Sequence, residues 1–385
     1  MRRARKTPRF DAVFYAPWAS SLVAGEAEVE VAAGGGETQS FLLATALARR
    51  GLRVGMIVMG TADQMPETAQ GVRILLQAPR SGLHGSAARV ALALGAFRSM
   101  ASARSAVLIQ RNAGPTTAVA AVAARLTGAR FVYSSASVVD FEFAAFEPSA
   151  VNVRLFEWGL RKASHVVVQT GEQARLCRAR FGRDPIVIGS VGDRPQPRSG
   201  PAEAFLWVGK MQPVKRPGPY LELARALPEA RFWMIVAPDA SESPELRRQV
   251  ETAARELPNL ELLEPRSRDG VGKLLDRTVA VVNTSEREGM PNVFLEGWAR
   301  GVPALALSFD PGGLVAGERL GCFAEGDQRR LEEHARTLWR DREDQRALAA
   351  RCVEYVRLHH DEEAVVERWL GQALPGRARA GSSTS

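Results

Sequence analysis

The sequence is poor in lysine, cysteine, tyrosine and histidine, and each shortage narrows what the chain does. Only three cysteines occur in 385 residues, at Cys177, Cys322 and Cys352, with no C-x-x-C pair and no histidine-rich cluster. That argues against a disulfide scaffold or a zinc site and points to a reducing compartment. No run reaches 18 apolar residues, so no transmembrane helix is expected. The opening MRRARKTPRF is charged but lacks a following apolar core, and does not read as a secretory signal. Four tyrosines and no basic stripe interleaved with aromatics leave nucleic-acid binding unsupported. What remains, 45% hydrophobic and 24% charged, is the composition of a globular protein whose length suits two domains.

Lysine is the most telling shortage. Five lysines (Lys6, Lys162, Lys210, Lys215 and Lys273) stand against 46 arginines, a bias that a GC-rich genome explains. Two of the five lie only five residues apart. The net charge of +8 is also unevenly divided: residues 1–200 carry +11 and residues 201–385 carry −3. A basic first half suits an anionic partner: a membrane surface, a phosphate-bearing substrate or nucleic acid, the last disfavoured by the shortage of aromatics.

Apolar strands alternate with helical stretches from residue 10 to 188, pause in a Pro-, Gly- and Arg-rich segment at 192–201, and resume to residue 307 before the helices that close the chain. Such alternation predicts two parallel sheets with helices on both faces. The expected domains are 1–195, rejoined by a last helix near 355–374, and 202–354, with a disordered tail at 375–385. In such sheets ligands bind beyond the carboxyl ends of the strands. A cleft between the domains is the default site.

Three motifs sit where that rule asks for them. The segment NTSEREGMPNVFLEGWARGVP (283–303) leads from a strand into a helix and spaces Glu288 and Glu296 as E-x7-E. The spacing alone means little, since Glu256/Glu264, Glu325/Glu333 and Glu354/Glu362 share it. Only the first pair has Ser285 before it, Gly289, Met290, Pro291 and Asn292 inside it, and Gly301 and Pro303 after it. A loop entering a helix presents free N–H groups and a positive dipole end to a phosphate, and the two carboxylates suit sugar and ribose hydroxyls. In FLWVGKMQPVK (205–215), Gly209 ends a strand and Lys210 and Lys215 follow, placed to neutralise a diphosphate; solvent-exposed lysines are the alternative. Gly34, Gly35 and Gly36 precede the first long helix and allow close approach of a ligand, although a structural turn uses the same glycines.

Weaker candidates are Ser134, Ser135, Ser137 and Asp140, as cleft lining or as a plain polar loop, together with His84, Gly85, Arg111 and Asn112. Trp298 and Trp369 read as core residues.

These residues carry a resemblance. Ser285, Glu288-Gly289, Pro291-Asn292, Glu296, Gly301 and Pro303 match the pattern of the retaining "group 1" glycosyltransferases (family 4), which have the GT-B fold of two Rossmann-like domains facing across a cleft. Gly209-Lys210 and Lys215 resemble its strand-end motif, and Gly35, Gly36 and Glu37 its N-terminal loop. The likeness extends over about residues 10–370.

It implies that Glu288 contacts the transferred sugar and Glu296 the ribose. Lys210 and Lys215 would hold the pyrophosphate, with Gly35 and Gly36 closing on it. The donor would be a UDP- or GDP-sugar, with no cofactor or metal required. The acceptor would be a glycan or lipid-linked molecule in cell-surface polysaccharide or glycolipid synthesis. The expected location is cytoplasmic, with peripheral contact on the inner membrane through the N-terminal half; residues 83–100, apolar and edged by Arg89 and Arg98, suit that contact or simple packing.

Four features depart from the pattern. Lys210 stands where arginine is usual, YSSAS replaces a histidine-bearing loop, Ala237-Pro238-Asp239 replaces a G-x-G, and residues 25–31 form an acidic insertion. A nucleotide-sugar epimerase on the same fold would need further acid–base residues near the sugar. A catalytically silent transferase partner would not need the intact Glu288, Glu296, Lys210 and Lys215 set.

Overall fold

The structure is a computed structural model that describes residues 7–24, 33–78, 85–198, 200–239, 242–341 and 344–374. The acidic insertion at 25–31, His84 with Leu83, and the tail from 375 lie outside the described residues. Chain contacts divide the molecule into two units. One runs to Val191 and takes the chain up again at Glu363; the other spans Gly192–Glu362.

The first unit is built on an eight-stranded sheet in the order β3-β4-β2-β1-β5-β6-β7-β8. Its strands are β1 (Phe10–Tyr15), β2 (Val54–Met59), β3 (Thr68–Ala69), β4 (Val72–Gln77), β5 (Ser105–Arg111), β6 (Arg130–Ser134), β7 (His165–Val168) and β8 (Ile186–Val187). All pair in parallel except the hairpin β3–β4. That hairpin turns on Gln70 and Gly71, both at positive φ, as a two-residue turn requires. Between strands run α1 (Ser20–Val23), α2 (Gly35–Arg49), α3 (Gly85–Ala103), α4 (Thr116–Thr127), α5 (Ala150–Lys162) and α6 (Gly171–Phe181). Strands buried on both faces read as unbroken apolar runs, and β1 and β2 are of that kind. Helix α5 starts three residues before its apolar pattern suggests, because Ser149 Oγ accepts the Asn152 N–H at 3.3 Å and caps it.

The second unit carries a six-stranded parallel sheet in the order β11-β10-β9-β12-β13-β14. The strands are β9 (Ala204–Gly209), β10 (Phe232–Val236), β11 (Leu260–Leu263), β12 (Thr278–Asn283), β13 (Ala304–Ala306) and β14 (Gly321–Phe323). Its helices are α7 (Pro217–Ala226), α8 (Pro244–Glu256), α9 (Arg268–Leu275), α10 (Asn292–Trp298), α11 (Leu314–Gly317), α12 (Gln328–Arg340) and α13 (Asp344–His359). Strand β14 escapes the hydrophobic pattern because it is three residues long and opens on Gly321, where a Cβ would overlap the Ala304 carbonyl.

Residues 192–198, which read as a free linker, are instead fastened to the second unit. Gly192 N–H donates to His360 O at 2.8 Å, Gln196 N–H to Ala299 O at 2.8 Å and Arg198 N–H to Arg300 O at 3.1 Å. The last helix, α14 (Glu362–Arg368), with the turn that continues to Ala373, returns to the first unit. There Val365, Trp369 and Leu374 join the core that holds β1, β2 and α2.

The order of strands reverses between β1 and β5 in one sheet and between β9 and β12 in the other. Loops on either side of such a reversal diverge and leave a crevice at the carboxyl ends. The three motifs fall on these two switch points.

Candidate active site

In the second unit, β9 ends at Gly209 and β12 at Asn283, and the loops that leave them are tied together. Trp207 Nε1 donates to Thr284 Oγ1 at 3.0 Å, Thr284 Oγ1 donates to the Lys215 carbonyl at 2.9 Å, and the Glu286 N–H reaches Val214 O at 3.0 Å. This brings residues 73 apart in sequence into contact: Lys215 Nζ donates to Glu288 Oε1. Ser285 Oγ donates to the same oxygen at 2.7 Å, and Asn283 Oδ1 fixes the Ser285 N–H at 3.0 Å. Arg216, the next residue after Lys215, sits at φ 45° and sends Nη1 to Ser308 Oγ at 3.1 Å.

Lys210 stands apart from that group. Its Nζ is 3.8 Å from Asp239 Oδ1, and Asp239 Oδ2 accepts from Gln212 Nε2 at 2.5 Å. Asp239 is one of the residues that replaces the family's G-x-G, so the departure from the pattern supplies a counter-charge to the first lysine. Gly209 must be bare, since a Cβ there would meet the Trp207 ring at 2.6 Å.

Gly289, Met290 and Pro291 lead into α10. Met290 is buried in the core, which fixes the loop, and Pro291 precedes Asn292 with no side chain capping the helix. Glu296, on this helix, is buried. Burial pushes its carboxyl above the ordinary range, and the neighbouring Arg268 cation opposes that shift. Arg268 Nε donates to Glu296 Oε1 at 2.9 Å and its Nη2 to Asp193 Oδ1 at 2.6 Å; Arg300 Nη1 donates to Asp193 Oδ2 at 3.1 Å and to the Glu296 carbonyl at 3.1 Å. The expected ribose-binding carboxylate is therefore held within an ionic network of Arg268, Asp193 and Arg300, which Arg300 extends to Asp276 at 3.4 Å. Arg268, Asp193, Arg300 and Asp239 were absent from the sequence-based set. No local pattern in the sequence marks Arg268 or Asp193; only their shared hydrogen bonds bring them to the site.

In the first unit, the Gly-rich turn and the β5 end converge. Gly36, the second residue of α2, is a glycine because a Cβ there would overlap Asn112 Oδ1. Asn112, at φ 75°, donates from Nδ2 to Glu37 Oε1 at 2.9 Å, and Gln110 Nε2 holds its carbonyl at 2.7 Å. Gly34 is confined likewise by Glu37 Oε2, 2.6 Å from where a Cβ would lie. Gly35 is in the same first turn. These glycines have a packing reason of their own, whatever they contact in addition.

Arg111 lies beside them. Its Nε is buried without a hydrogen-bond partner among the described residues. Burial lowers its pKa to about 10, against the through-space pull of Asp140 and Glu37. It faces a water-sized cavity of about 10 Å³ with Gln39, Ser134, Gln169 and Ser190. Asp140 and Ser135 do not line a cleft: both are buried. Asp140 Oδ2 accepts from Tyr133 Oη at 2.9 Å and from the Ala136 N–H at 2.8 Å, so it holds the loop in place. Trp298 and Trp369 are buried core residues. Among the described residues no group of three His, Cys, Asp or Glu side chains could hold a metal ion.

Comparison with known proteins supplies the frame for this geometry. A model described as "Glycosyl transferase 4-like domain" matches residues 34–192, and one described as "Glycosyl transferases group 1" matches residues 202–341. No curated protein matches the chain in sequence. Among solved structures it is similar to sucrose-phosphate synthase from Thermosynechococcus elongatus, with 17% identity over 95% of this chain and 98% of that one and a TM-score of 0.72. Anabaena HepE, solved with UDP-glucose, is 15% identical over 93% of this chain and 98% of its own, at a TM-score of 0.70. The lipopolysaccharide outer core galactosyltransferase WaaB is 15% identical over 93% and 97%, at 0.60. At these identities the structures speak for the fold, and the two domain models speak for the lineage: the chain belongs to the group 1 glycosyltransferases and has the GT-B fold.

Proposed function

We propose that this glycosyltransferase retains the configuration of the sugar it moves, taking it from a UDP- or GDP-sugar to a glycan or lipid-linked acceptor. The setting would be cell-surface polysaccharide or glycolipid assembly at the cytoplasmic face of the inner membrane, with no metal or cofactor required. The observation that carries the reading is the β9/β12 switch point, where Lys215, Ser285 and Glu288 form one hydrogen-bonded group.

In this reading Lys215 and Lys210 hold the donor diphosphate and neutralise the charge that grows as it leaves. Lys215 rests on Glu288, so an arriving diphosphate competes for that ammonium and frees the carboxylate for a sugar hydroxyl. Glu288 and Lys215 thus act as a pair that the donor opens. Glu296, oriented by Arg268, receives the ribose hydroxyls. The acceptor hydroxyl attacks from the side the diphosphate leaves, and a diphosphate oxygen takes its proton; this requires positive charge at the leaving group more than a protein base. On the acceptor side, the Arg111 guanidinium favours an acceptor with a negative group.

A screen of UDP- and GDP-sugars by thermal shift tests the class, followed by turnover of Glu288→Gln and Lys215→Ala. Absence of any stabilising nucleotide sugar would end the transferase reading. Proton NMR of the product decides retention, since an inverted anomer contradicts it, and activity surviving EDTA is expected if no metal takes part.

A further inference from the structure

Three adjoining helices of the first unit present to solvent what surface helices normally hide. On α3, Val90 and Leu94 are exposed; on α4, Val122 and Leu126; on α5, Val151, Leu155 and Trp158. Leu126 is 69% exposed and Val151 63%, so most of the apolar area of each stays in water. Helix α4 packs between α3 and α5. Gly159 lets α5 approach closely, since a Cβ there would lie 2.5 Å from the backbone of Thr117 and Ala118. The solvent side of a surface helix is ordinarily polar, yet TTAVAAVAARLT in α4 has one charged residue.

The charge on these helices has one sign. They carry Arg89, Arg98, Arg125, Arg154, Arg161 and Lys162, and a single acidic residue, Glu157. Glu157 is already occupied by Arg161 at 3.4 Å and Arg180 at 3.0 Å. We propose that the exposed face of α3, α4 and α5 is the surface by which the protein docks on an anionic lipid bilayer. Apolar side chains enter the headgroup boundary, Trp158 sits at the interface, and the basic residues meet lipid phosphates. No helix among the described residues is long and apolar enough to cross a membrane, so the contact is interfacial. The face is wider than residues 83–100: two of its three helices, and its most exposed residues, lie outside that segment. The docking gives a lipid-linked acceptor its approach, and so extends the proposed transferase reading, but its test does not depend on catalysis.

Sedimentation of the full chain with mixed phosphatidylglycerol–phosphatidylcholine vesicles, against phosphatidylcholine alone, provides that test. Partition into the anionic vesicles is expected to be roughly tenfold stronger or more, and to weaken as salt is added. Leu126→Glu combined with Trp158→Glu should lower it by roughly tenfold or more, with an unchanged circular dichroism spectrum. Val151→Ser and Arg154→Gln, milder exposed changes, should each lower it by a smaller factor. Equal partition into the two vesicle types overturns the proposal. So does binding that all these variants retain, or an oligomer in gel filtration that Leu126→Glu dissolves while vesicles are never bound. Vesicle binding without any nucleotide-sugar binding would sink the transferase reading and leave the docking face standing.

Discussion

The carboxyl ends of the two sheets treat charge in opposite ways. In the second unit each of the key charged side chains at the switch point meets an opposite charge: Lys215 meets Glu288, Lys210 meets Asp239, and Arg268 bridges Glu296 and Asp193. In the first unit Arg111 is half-buried, its Nε has no hydrogen-bond partner among the described residues, and Asp140 and Glu37 act on it through space. A site of closed ion pairs selects ligands that offer better partners than the pairs already have. A half-buried cation without a close counter-charge among the described residues is where the proposed acceptor's negative group would act. The division of net charge, −3 in residues 201–385 and +11 in residues 1–200, runs the same way on the scale of the whole chain.

The largest expected break in this contrast is Lys215→Ala, which removes one member of the pair that the proposed donor would open. The rate constant for transfer should fall by about 10²–10³ in steady-state kinetics; a normal rate would mean the ion pairs of the second unit are only structural.

Next comes Arg268→Gln. It takes away the cation that offsets the burial of Glu296, so the Glu296 carboxyl climbs further above its unfolded value. A carboxyl with a raised folded pKa penalises folding above that pKa and not below the unfolded one. The variant should therefore lose about 2 kcal/mol at neutral pH, a figure lowered because Arg268 is 34% exposed. Urea titrations should show the deficit shrinking as pH falls through the folded Glu296 pKa; a constant deficit would contradict that assignment.

Gly36→Ala forces Asn112 off Glu37 and should cost about 1 kcal/mol, measured as a lowered melting temperature. Smallest in stability is Arg111→Gln, expected within about 1 kcal/mol of the parent because no close ion pair is broken. It sharpens the contrast through acceptor kinetics instead: KM should rise for an acceptor that carries a phosphate or carboxylate relative to its neutral counterpart, with nucleotide affinity unchanged. An equal effect on both would remove the anionic acceptor from the picture.

Much of this could be read before the structure because the strands are buried on both faces and so appear as continuous apolar runs, as in Thr278–Asn283. Strands β3 and β14 were not visible, being two and three residues long; they exist because neighbouring strands offer them an edge. The 192–198 segment looked unstructured because its proline and glycine content speaks only of the local chain, whereas its hydrogen bonds go to Ala299, Arg300 and His360. Glu288, Glu296, Lys210 and Lys215 stood out through a shared local pattern. Arg268 and Asp193 could not, since an arginine in a chain with 46 of them carries no signal until its partners are seen. Asp140 illustrates the converse: a carboxylate in a polar loop looked available, and the fold had turned it inward to hold that loop.

The return of the chain to the first unit at Glu363 sets an order for biosynthesis. Strand β1 and helix α2 are among the first parts translated, but the side chains that complete their core, Val365, Trp369 and Leu374, are made after all of residues 192–362. At about 5–20 residues per second that interval lasts on the order of ten seconds or more. Throughout it the nascent first unit carries an open apolar seam, while the second unit, continuous in sequence, can close as it emerges. The half made first is finished last, and a chain truncated near its end would carry a sealed second unit attached to an unsealed first one.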